Sequence, residues 1–334
     1  MRRPWTGVIV ALVTPLTDAG EICAPDIARL VTSVRPHVNA LVPALSTGEG
    51  WALSDRQWNQ LVAGTARHAG GLPVLAGIER PTTTEVIARA RLAAALGARA
   101  VVVTTPYGPQ VSQREMYRHY AAVTQAVSLP VVAYHESAVS GNSLHLDTLL
   151  QVCRLAGVVA VKDSGGSAAF TRRLIAARPG VPILQGVEAL LLEAGEVDGY
   201  LVALANVEPA LCTALFVEPS SARAAEVRAA CERYGLARPD WYRMIKAELH
   251  RRGVLTTARI IQTQERQHED HDDGQFPQTP VHPQPLAAQR RPLHADRADR
   301  TGLDHAEGRR PHCAYAAGRL AYAVGGGTRG TTGR

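Results

Sequence analysis

Residues 129–166 contain a complete strand–helix–strand unit, with the sequence LPVVAYHESAVSGNSLHLDTLLQVCRLAGVVAVKDSGG. Residues 131–134 and 158–161 form two short runs that are apolar except for the tyrosine hydroxyl at position 134. Such runs are typical of parallel strands that are buried on both faces. Between them, residues 144–156 have apolar side chains at the spacing of an amphipathic helix. Polar residues follow each strand directly. The unit therefore predicts a parallel sheet with polar side chains at the carboxyl ends of its strands.

The same alternation extends over most of the chain. The predicted strands are residues 8–13, 40–44, 74–77, 100–104, 131–134, 158–161, 183–185 and 200–204. The predicted helices that follow them are residues 25–34, 54–68, 82–96, 113–127, 144–156, 168–177, 188–194 and 209–217, with Ser54 and Thr82 as N-caps. Eight such units in one chain predict an α/β fold, a (β/α)8 TIM barrel. A doubly wound open sheet is less favoured, because no glycine-rich phosphate loop follows the first strand.

The chain after the barrel divides into two parts. Residues 221–234 and 240–252 have helical patterns, which predicts a short C-terminal helical segment that is truncated relative to a full domain. Residues 259–334 contain only 9 Leu, Ile, Val and Phe among 76 residues, too few to offset the entropy of ordering the chain. We therefore expect a barrel in residues 1–217, helices in 218–258 and a disordered tail in 259–334.

Composition excludes several classes of protein. The net charge of +6 is spread thinly and aromatic residues are 5% of the chain, which argues against nucleic-acid binding. No apolar run has the length of a membrane helix, and a buried first strand explains the apolar N-terminus better than a signal peptide. Five scattered cysteines indicate free thiols in the cytoplasm. Six histidines in the tail have irregular spacing, so we expect no metal site.

Lysine is scarce in this sequence: of 36 basic side chains only Lys162 and Lys246 are lysine. Lys162 closes the sixth predicted strand, where burial would lower the pKa of its amine and leave it free to form a Schiff base with a ketone or aldehyde. Arginine cannot do this, because it stays protonated. Lys246 lies in a late helix among charged residues, and we expect it to be a surface or packing residue that arginine could replace.

Other polar residues end neighbouring strands. Tyr134 ends the fifth strand, so its hydroxyl can lie near Lys162 and transfer protons. Ser46, Thr47 and Gly48 offer two hydroxyls and backbone N–H groups in one turn, which suits a carboxylate. Tyr107 is a possible further site residue. Glu136 is either a local acid or base or half of an ion pair at the rim of the barrel, and the rim is the favoured interpretation.

Together these residues resemble the family of dihydrodipicolinate synthase and N-acetylneuraminate lyase. The stretches that carry the resemblance lie in order within residues 7–210, and they are GVIVALVTPLTDAGEI, STGEGWALS, PVLAGIERPTTTEVI, VVVTTPYGPQ, LPVVAYHESAVSG, VVAVKDSGGS and DGYLVALANVEP. The resemblance implies a TIM barrel, often a homotetramer, that condenses or cleaves 2-keto acids. It assigns Lys162 as the Schiff-base lysine, Tyr134 as the proton-transfer residue, and Ser46, Thr47 and the backbone near Leu201 as the substrate pocket.

Two departures bear on the substrate. The synthase branch of the family has a second tyrosine where this chain has Gly108, and an arginine that binds the aldehyde's carboxylate where this chain has Val139. Losing a bidentate carboxylate partner is not a conservative change. Ser46-Thr47-Gly48 and residues 138–141 are more similar to the sialic-acid lyase branch.

The sequence thus predicts a lyase or aldolase that forms a lysine Schiff base with pyruvate or another 2-keto acid. It then makes or breaks a C–C bond or eliminates water. No metal or organic cofactor is needed, because the imine itself accepts electrons. The expected partners are a small 2-keto acid and further copies of the chain, in a dimer or tetramer. The alternatives are a true 4-hydroxy-tetrahydrodipicolinate synthase and a non-catalytic or decayed keto-acid-binding protein.

Overall fold

Eight parallel strands form the barrel in this computed structural model, which describes residues 5–108 and 110–261. The strands are β1 (Gly7–Ala11), β2 (Ala40–Val42), β3 (Leu75–Ile78), β4 (Ala100–Val103), β5 (Val131–His135), β6 (Val158–Asp163), β7 (Ile183–Gln185) and β8 (Gly199–Val202). Their order in the sheet is β2-β1-β8-β7-β6-β5-β4-β3. A parallel bridge between Leu41 and Val74 joins the two ends of this sheet. The predicted TIM barrel is confirmed.

Nine α-helices are present in the described part of the chain. They are α1 (Ala24–Val34), α2 (Asp55–His68), α3 (Thr83–Ala95), α4 (Gln113–Ala126), α5 (Leu146–Cys153), α6 (Ala168–Ala176), α7 (Pro209–Val217), α8 (Ser221–Arg233) and α9 (Trp241–Arg251). Ser54 and Thr82 cap α2 and α3 as predicted, each in a capping box with the Gln57 or Glu85 side chain. Such reciprocal bonds fix where these helices begin.

The predicted helix over residues 188–194 is wrong. Only the short 3-10 turn Glu188–Leu190 forms there, with further turns as far as Gly195. The Glu188 carboxylate accepts hydrogen bonds from the backbone N–H groups of Ala203 and Leu204, at 2.7 and 3.1 Å. These bonds hold the start of the segment against the end of β8. Few residues are then left for a regular helix before Gly195.

Side chains from the strands alternate between the barrel interior and the layer under the helices. The interior cluster is formed by Ile9, Ala11, Ala40, Val42, Leu45, Leu75, Ala100, Val102, Val132, Tyr134, Ala160, Leu184 and Leu201. Because Ala160 faces the interior, Lys162 two residues later faces it too. Asp163, with the opposite parity, faces the helix layer. Alternation along β6 therefore aims one functional group at the mouth of the barrel, by which we mean the edge where the strands end.

The predictions for the tail lie almost wholly outside the described residues. Its disorder, its lack of a metal site and the state of Cys313 are not addressed by residues 5–108 and 110–261. The other four cysteines, at positions 23, 153, 212 and 231, are free thiols and buried. Within the described residues, no helix is both long and apolar enough to cross a membrane.

Gly77 in β3 allows the chain after β2 to approach closely. A Cβ atom at this position would lie 2.5 Å from the Ala44 carbonyl oxygen and 2.6 Å from the Leu45 nitrogen. Ala44 itself has a positive φ of 61°, which turns the chain from β2 toward Ser46. Gly77 therefore helps to set the position of the turn that carries Ser46 and Thr47.

We expect Gly77→Ala to lower the free energy of unfolding by roughly 1–3 kcal/mol, the usual cost of forcing an atom into a packed core. The matched control is Gly64→Ala in α2, where a Cβ atom would meet only the flexible end of Ile27, at 3.0 Å. Alanine is favoured over glycine in a helix by up to about 1 kcal/mol, so this variant should be neutral or more stable. Urea unfolding of both variants measures the difference. Equal stability of the two would contradict the packing argument.

Candidate active site

Lys162 lies at the carboxyl end of β6 with its side chain 5% exposed. It is in register with Tyr134 on the adjacent strand β5. The Lys162 Nζ atom is 3.9 Å from the centroid of the Tyr134 ring. Two of the predicted site residues are therefore in contact, inside the barrel mouth.

The environment of Lys162 favours a neutral amine. The pKa of Lys162 falls from 10.5 to about 8, and the main cause is burial, which penalises the ammonium form. The negative charges of Glu79, Glu188 and Glu136 act in the opposite direction and limit the fall. Burial raises the pKa of the Tyr134 phenol well above its ordinary value, so the phenol keeps its proton near neutral pH.

Gly186, just after β7, makes room for the lysine. A Cβ atom here would lie 2.7 Å from Lys162 Cε and 2.2 Å from the Ser164 hydroxyl oxygen. That Ser164 hydroxyl is buried and lies near enough to the Tyr134 phenol to lower the pKa of the phenol by hydrogen bonding. It therefore places a further polar group beside the amine.

The predicted carboxylate-binding residues form the 3-10 turn Ser46–Gly48. The N–H groups of Gly48 and Glu49 donate within this segment, to the carbonyls of Leu45 and Ser46. These two N–H groups are thus committed to the turn and are not available to an anion. The Ser46 and Thr47 side chains are nearly buried.

Glu79 was missed in the sequence, although it follows β3 directly. It is fully buried, and one of its carboxyl oxygens is hydrogen-bonded to the Ser46 hydroxyl. The pKa of Glu79 is raised from 4.5 to about 8, mainly by burial. The available signal was its position, since a charged residue directly after a buried strand of a TIM barrel faces the mouth or the helix layer.

Tyr107 and Glu136 belong to the same region. The Tyr107 hydroxyl is buried without a partner, and the charges of Glu79 and Glu136 add to the burial that raises its pKa. Glu136 is 2% exposed and accepts hydrogen bonds from the N–H groups of Val139 and Ser140, at 2.8 and 3.2 Å. The interpretation of Glu136 as a rim ion pair is wrong, because its carboxylate organises the loop after β5 instead.

A hydrogen-bonded network supports β5 and β6 from the helix side. Asp163 accepts from Thr171 at 2.7 Å and bonds His135 at 2.9 Å, while Gln185 donates to Thr171 at 3.0 Å. These contacts join the ends of three strands to α6. They fix the backbone that carries Lys162 and Tyr134 without entering the mouth.

Leu201 has its side chain in the interior cluster with Tyr134, and in β8 it pairs with Ile9. Its place as a lining residue of the substrate pocket stays a prediction.

These side chains offer an amine, two phenols, three hydroxyls and two carboxyl groups at the mouth of the barrel. Such a set suits attack on a carbonyl, proton transfer and recognition of a small anion. Among the described residues, no three His, Cys, Asp or Glu side chains are grouped so that they could hold a metal ion.

Comparison with known proteins identifies the family. Residues 4–269 match the model of the dihydrodipicolinate synthetase family. The chain belongs to this family. Its relatives include a 4-hydroxy-tetrahydrodipicolinate synthase from Thermomicrobium roseum, 37% identical over 61% of this chain and 69% of the relative.

Two further relatives match more of the chain. A DapA-like lyase from Halobacterium salinarum is 31% identical over 74% of this chain and 84% of its own length. The crystal structure of the dihydrodipicolinate synthase from Acinetobacter baumannii in complex with pyruvate superposes with a TM-score of 0.71 and 26% identity. That match covers 77% of this chain and 91% of the other. The similarity supports assignment of this chain as a lyase of the dihydrodipicolinate synthetase family.

Lys246 was expected to be a surface or packing residue, and of these two alternatives the surface position is wrong. It is fully buried and forms an ion pair with Glu49, which follows the Ser46–Gly48 turn. It also donates to the Arg259 carbonyl at 2.9 Å, and the N–H of Ile261 donates to Glu49 at 2.6 Å. Trp241 donates to Thr47 at 3.4 Å. The helix α9 and residues 259–261 therefore hold the turn from the C-terminal side.

We expect Lys246→Met to destabilise the protein by about 3–5 kcal/mol, because the Glu49 carboxylate would stay buried without its cation. The double variant Glu49→Gln with Lys246→Met should recover much of that loss. Denaturant unfolding of both variants and the wild type measures the effect.

The matched control is Arg251→Met, which removes an ion pair with Glu248 in which the arginine is 71% exposed. Its cost should be below about 1 kcal/mol, as for other surface pairs. If Lys246→Met cost no more than this control, the buried pair would not hold the turn.

Proposed function

We propose that this protein is a Schiff-base-forming lyase that acts on pyruvate or another 2-keto acid. The observation that supports it best is a buried lysine with a lowered pKa, in contact with a tyrosine at the carboxyl ends of the strands of a TIM barrel. Family membership supports the same reaction class. The assignments of Lys162, Tyr134, Ser46 and Thr47 are part of this proposal.

The chemistry begins with the neutral amine of Lys162. Its nitrogen attacks C2 of the keto acid, a C–N bond forms as the C=O double bond becomes single, and one proton passes from the nitrogen to the oxygen to give a carbinolamine. A second proton on that oxygen lets it leave as water, and the product is an iminium ion. Loss of a proton from C3 gives an enamine, which can form a bond to an electrophile; cleavage of a C–C bond is the reverse.

Tyr134 is suited to move these protons. Its phenol is protonated near neutral pH, so it can donate to the departing oxygen and receive a proton in a later step. Because the iminium ion itself accepts the electron pair, this sequence of steps requires no metal or organic cofactor.

The carboxylate of the keto acid would be held by the hydroxyls of Ser46 and Thr47. Hydrogen bonds to a charged group of this kind contribute about 1.5–3 kcal/mol each. We further propose that the protein acts in the cytoplasm as a homo-oligomer.

Two alternatives carry weight. Some relatives are named 4-hydroxy-tetrahydrodipicolinate synthase, but their identity to this chain is modest, and Gly108 and Val139 replace groups that the family resemblance assigns to that activity. The second alternative is a non-catalytic keto-acid-binding protein, which would keep the pocket but form no covalent intermediate.

We expect incubation with pyruvate and borohydride to increase the mass of the protein by one reduced pyruvate imine. Peptide mapping should place the adduct on Lys162, which is readily told from Lys246 because the chain has only these two lysines. The extent of trapping should rise as the pH increases toward about 8, since the Lys162 amine then loses its proton. Intact-mass spectrometry measures the adduct and its pH dependence, and peptide mapping locates it.

The control is Lys162→Arg, which keeps a positive charge but cannot form an imine. An unchanged mass in the wild type would reject the proposed reaction and favour the binding protein. An adduct that persisted in Lys162→Arg would reject the assignment of the lysine.

We expect the kcat/KM for condensation of pyruvate with aspartate semialdehyde to be about tenfold to a hundredfold lower than in a synthase. The reason is that the charged partner of the aldehyde's carboxylate is missing. A spectrophotometric assay of the condensation product gives kcat/KM. The matched variant is Val139→Arg, which should increase this activity. Efficient synthesis by the wild type would favour the synthase alternative instead.

A further inference from the structure

Glu79 occupies an unusual position for a carboxyl group in a pocket that would receive another carboxylate. It is fully buried at the end of β3. One oxygen is hydrogen-bonded to the Ser46 hydroxyl, the other is buried without a side-chain partner, and the backbone N–H of Trp51 lies near enough to lower the pKa of the carboxyl group. Within the described residues, no Lys, Arg or His lies within ion-pair distance of it. The neighbouring Arg80 is instead paired with Asp55 at 3.0 Å.

Several charged or titratable groups surround it. Lys162 on β6 favours the ionised form of Glu79, and Glu136 after β5 opposes it. Tyr107 after β4 and Tyr134 on β5 both experience its charge. Burial outweighs the favourable effect of Lys162 and raises the pKa of Glu79 to about 8.

The proton on Glu79 determines which way the Ser46 hydroxyl points. When Glu79 is ionised it can only accept, so Ser46 donates to it and presents oxygen lone pairs to a ligand. When Glu79 is protonated it can donate to Ser46. The neighbouring Tyr134 phenol keeps its own proton and can also donate to Ser46, so the Ser46 proton can be donated to an anion. The two states therefore turn one hydroxyl from an acceptor into a donor toward the pocket.

We propose that Glu79 is a positioning residue of the keto-acid pocket, whose protonated carboxyl orients the Ser46 hydroxyl toward the substrate carboxylate and whose ionised form excludes that carboxylate. This inference rests on the proposed function, since it requires that Ser46 contact the keto-acid carboxylate. The proposed role of Glu79 adds a pH-dependent preference for substrates that carry a carboxylate over substrates that are neutral. Below pH 8 the pocket favours 2-keto acids, and above pH 8 this preference is lost.

The test compares two ketones in the same protein. Pyruvate carries a carboxylate, whereas pyruvamide has the same reactive carbonyl but a neutral amide. Trapping with a borohydride reagent is followed by intact-mass spectrometry at pH values from 6.5 to 9.5, roughly one and a half units either side of the pKa of Glu79. The ratio of the two trapping rates is the measurement, because the protonation of Lys162 and the strength of the reductant affect both ketones equally.

In the wild type we expect the pyruvate-to-pyruvamide ratio to fall by up to about tenfold per pH unit above 8, as for the loss of one proton. The variant Glu79→Gln has a neutral amide that can always donate to Ser46, so its ratio should stay constant over the whole range. Ser46→Ala removes the hydroxyl and should give a low, constant ratio. It serves as the second variant if Glu79→Gln does not fold.

The outcomes are distinguishable from failure of the proposed function. No adduct with either ketone at any pH would reject the Schiff-base reaction itself. If adducts form but the wild-type pyruvate-to-pyruvamide ratio does not change with pH, the role of Glu79 is rejected and the Schiff-base reaction is not. The charge of Glu79 would then act only on Lys162 and affect both ketones equally. A fall of the same size in Glu79→Gln or in Ser46→Ala would also overturn it.

Discussion

The burial of the Lys162 amine is the constraint on which the rest of the site depends. A lysine that ends an apolar strand inside a barrel loses most of its hydration, and burial shifts its equilibrium toward the neutral amine. The surrounding glutamates limit this effect and keep the pKa near 8. The amine is therefore close to the balance between a charged and a nucleophilic form at neutral pH, which the proposed reaction requires.

The same low-dielectric environment explains the raised pKa of Glu79. This residue has no ion-pair partner within the described residues, so burial favours its protonated form. Glu136 is also buried, but two backbone N–H groups donate to its carboxylate. Two buried glutamates in one barrel mouth thus have different hydrogen-bonding partners: Glu136 binds the loop after β5, and Glu79 binds the Ser46 hydroxyl.

Much of the fold could be predicted from the sequence because each strand is a short apolar run and several helices, among them α1, α2 and α4, have a periodic apolar face. Lys162 and Tyr134 could be predicted to meet because adjacent parallel strands end at the same edge. The prediction of a helix over residues 188–194 was wrong because a long-range interaction competes with local helix propensity. This interaction is the pair of hydrogen bonds that Glu188 accepts from the end of β8. Lys246 was misjudged for a similar reason: its partner Glu49 is 197 residues away in the chain, and charged neighbours in sequence suggested exposure.

The two lysines together explain how the C-terminal helices could matter for chemistry that occurs in the barrel. Lys162 faces the mouth from β6, and Lys246 reaches the same mouth from α9 through Glu49, which follows the turn that carries Ser46 and Thr47. Glu49 has a positive φ of 56°, a strained conformation for a residue with a side chain, and its two carboxyl oxygens are held by Lys246 and by the N–H of Ile261. Loosening α9 would therefore release this turn. The two lysines of the sequence thus each have a specific partner near the proposed carboxylate pocket. Lys162 contacts Tyr134, and Lys246 forms an ion pair with Glu49.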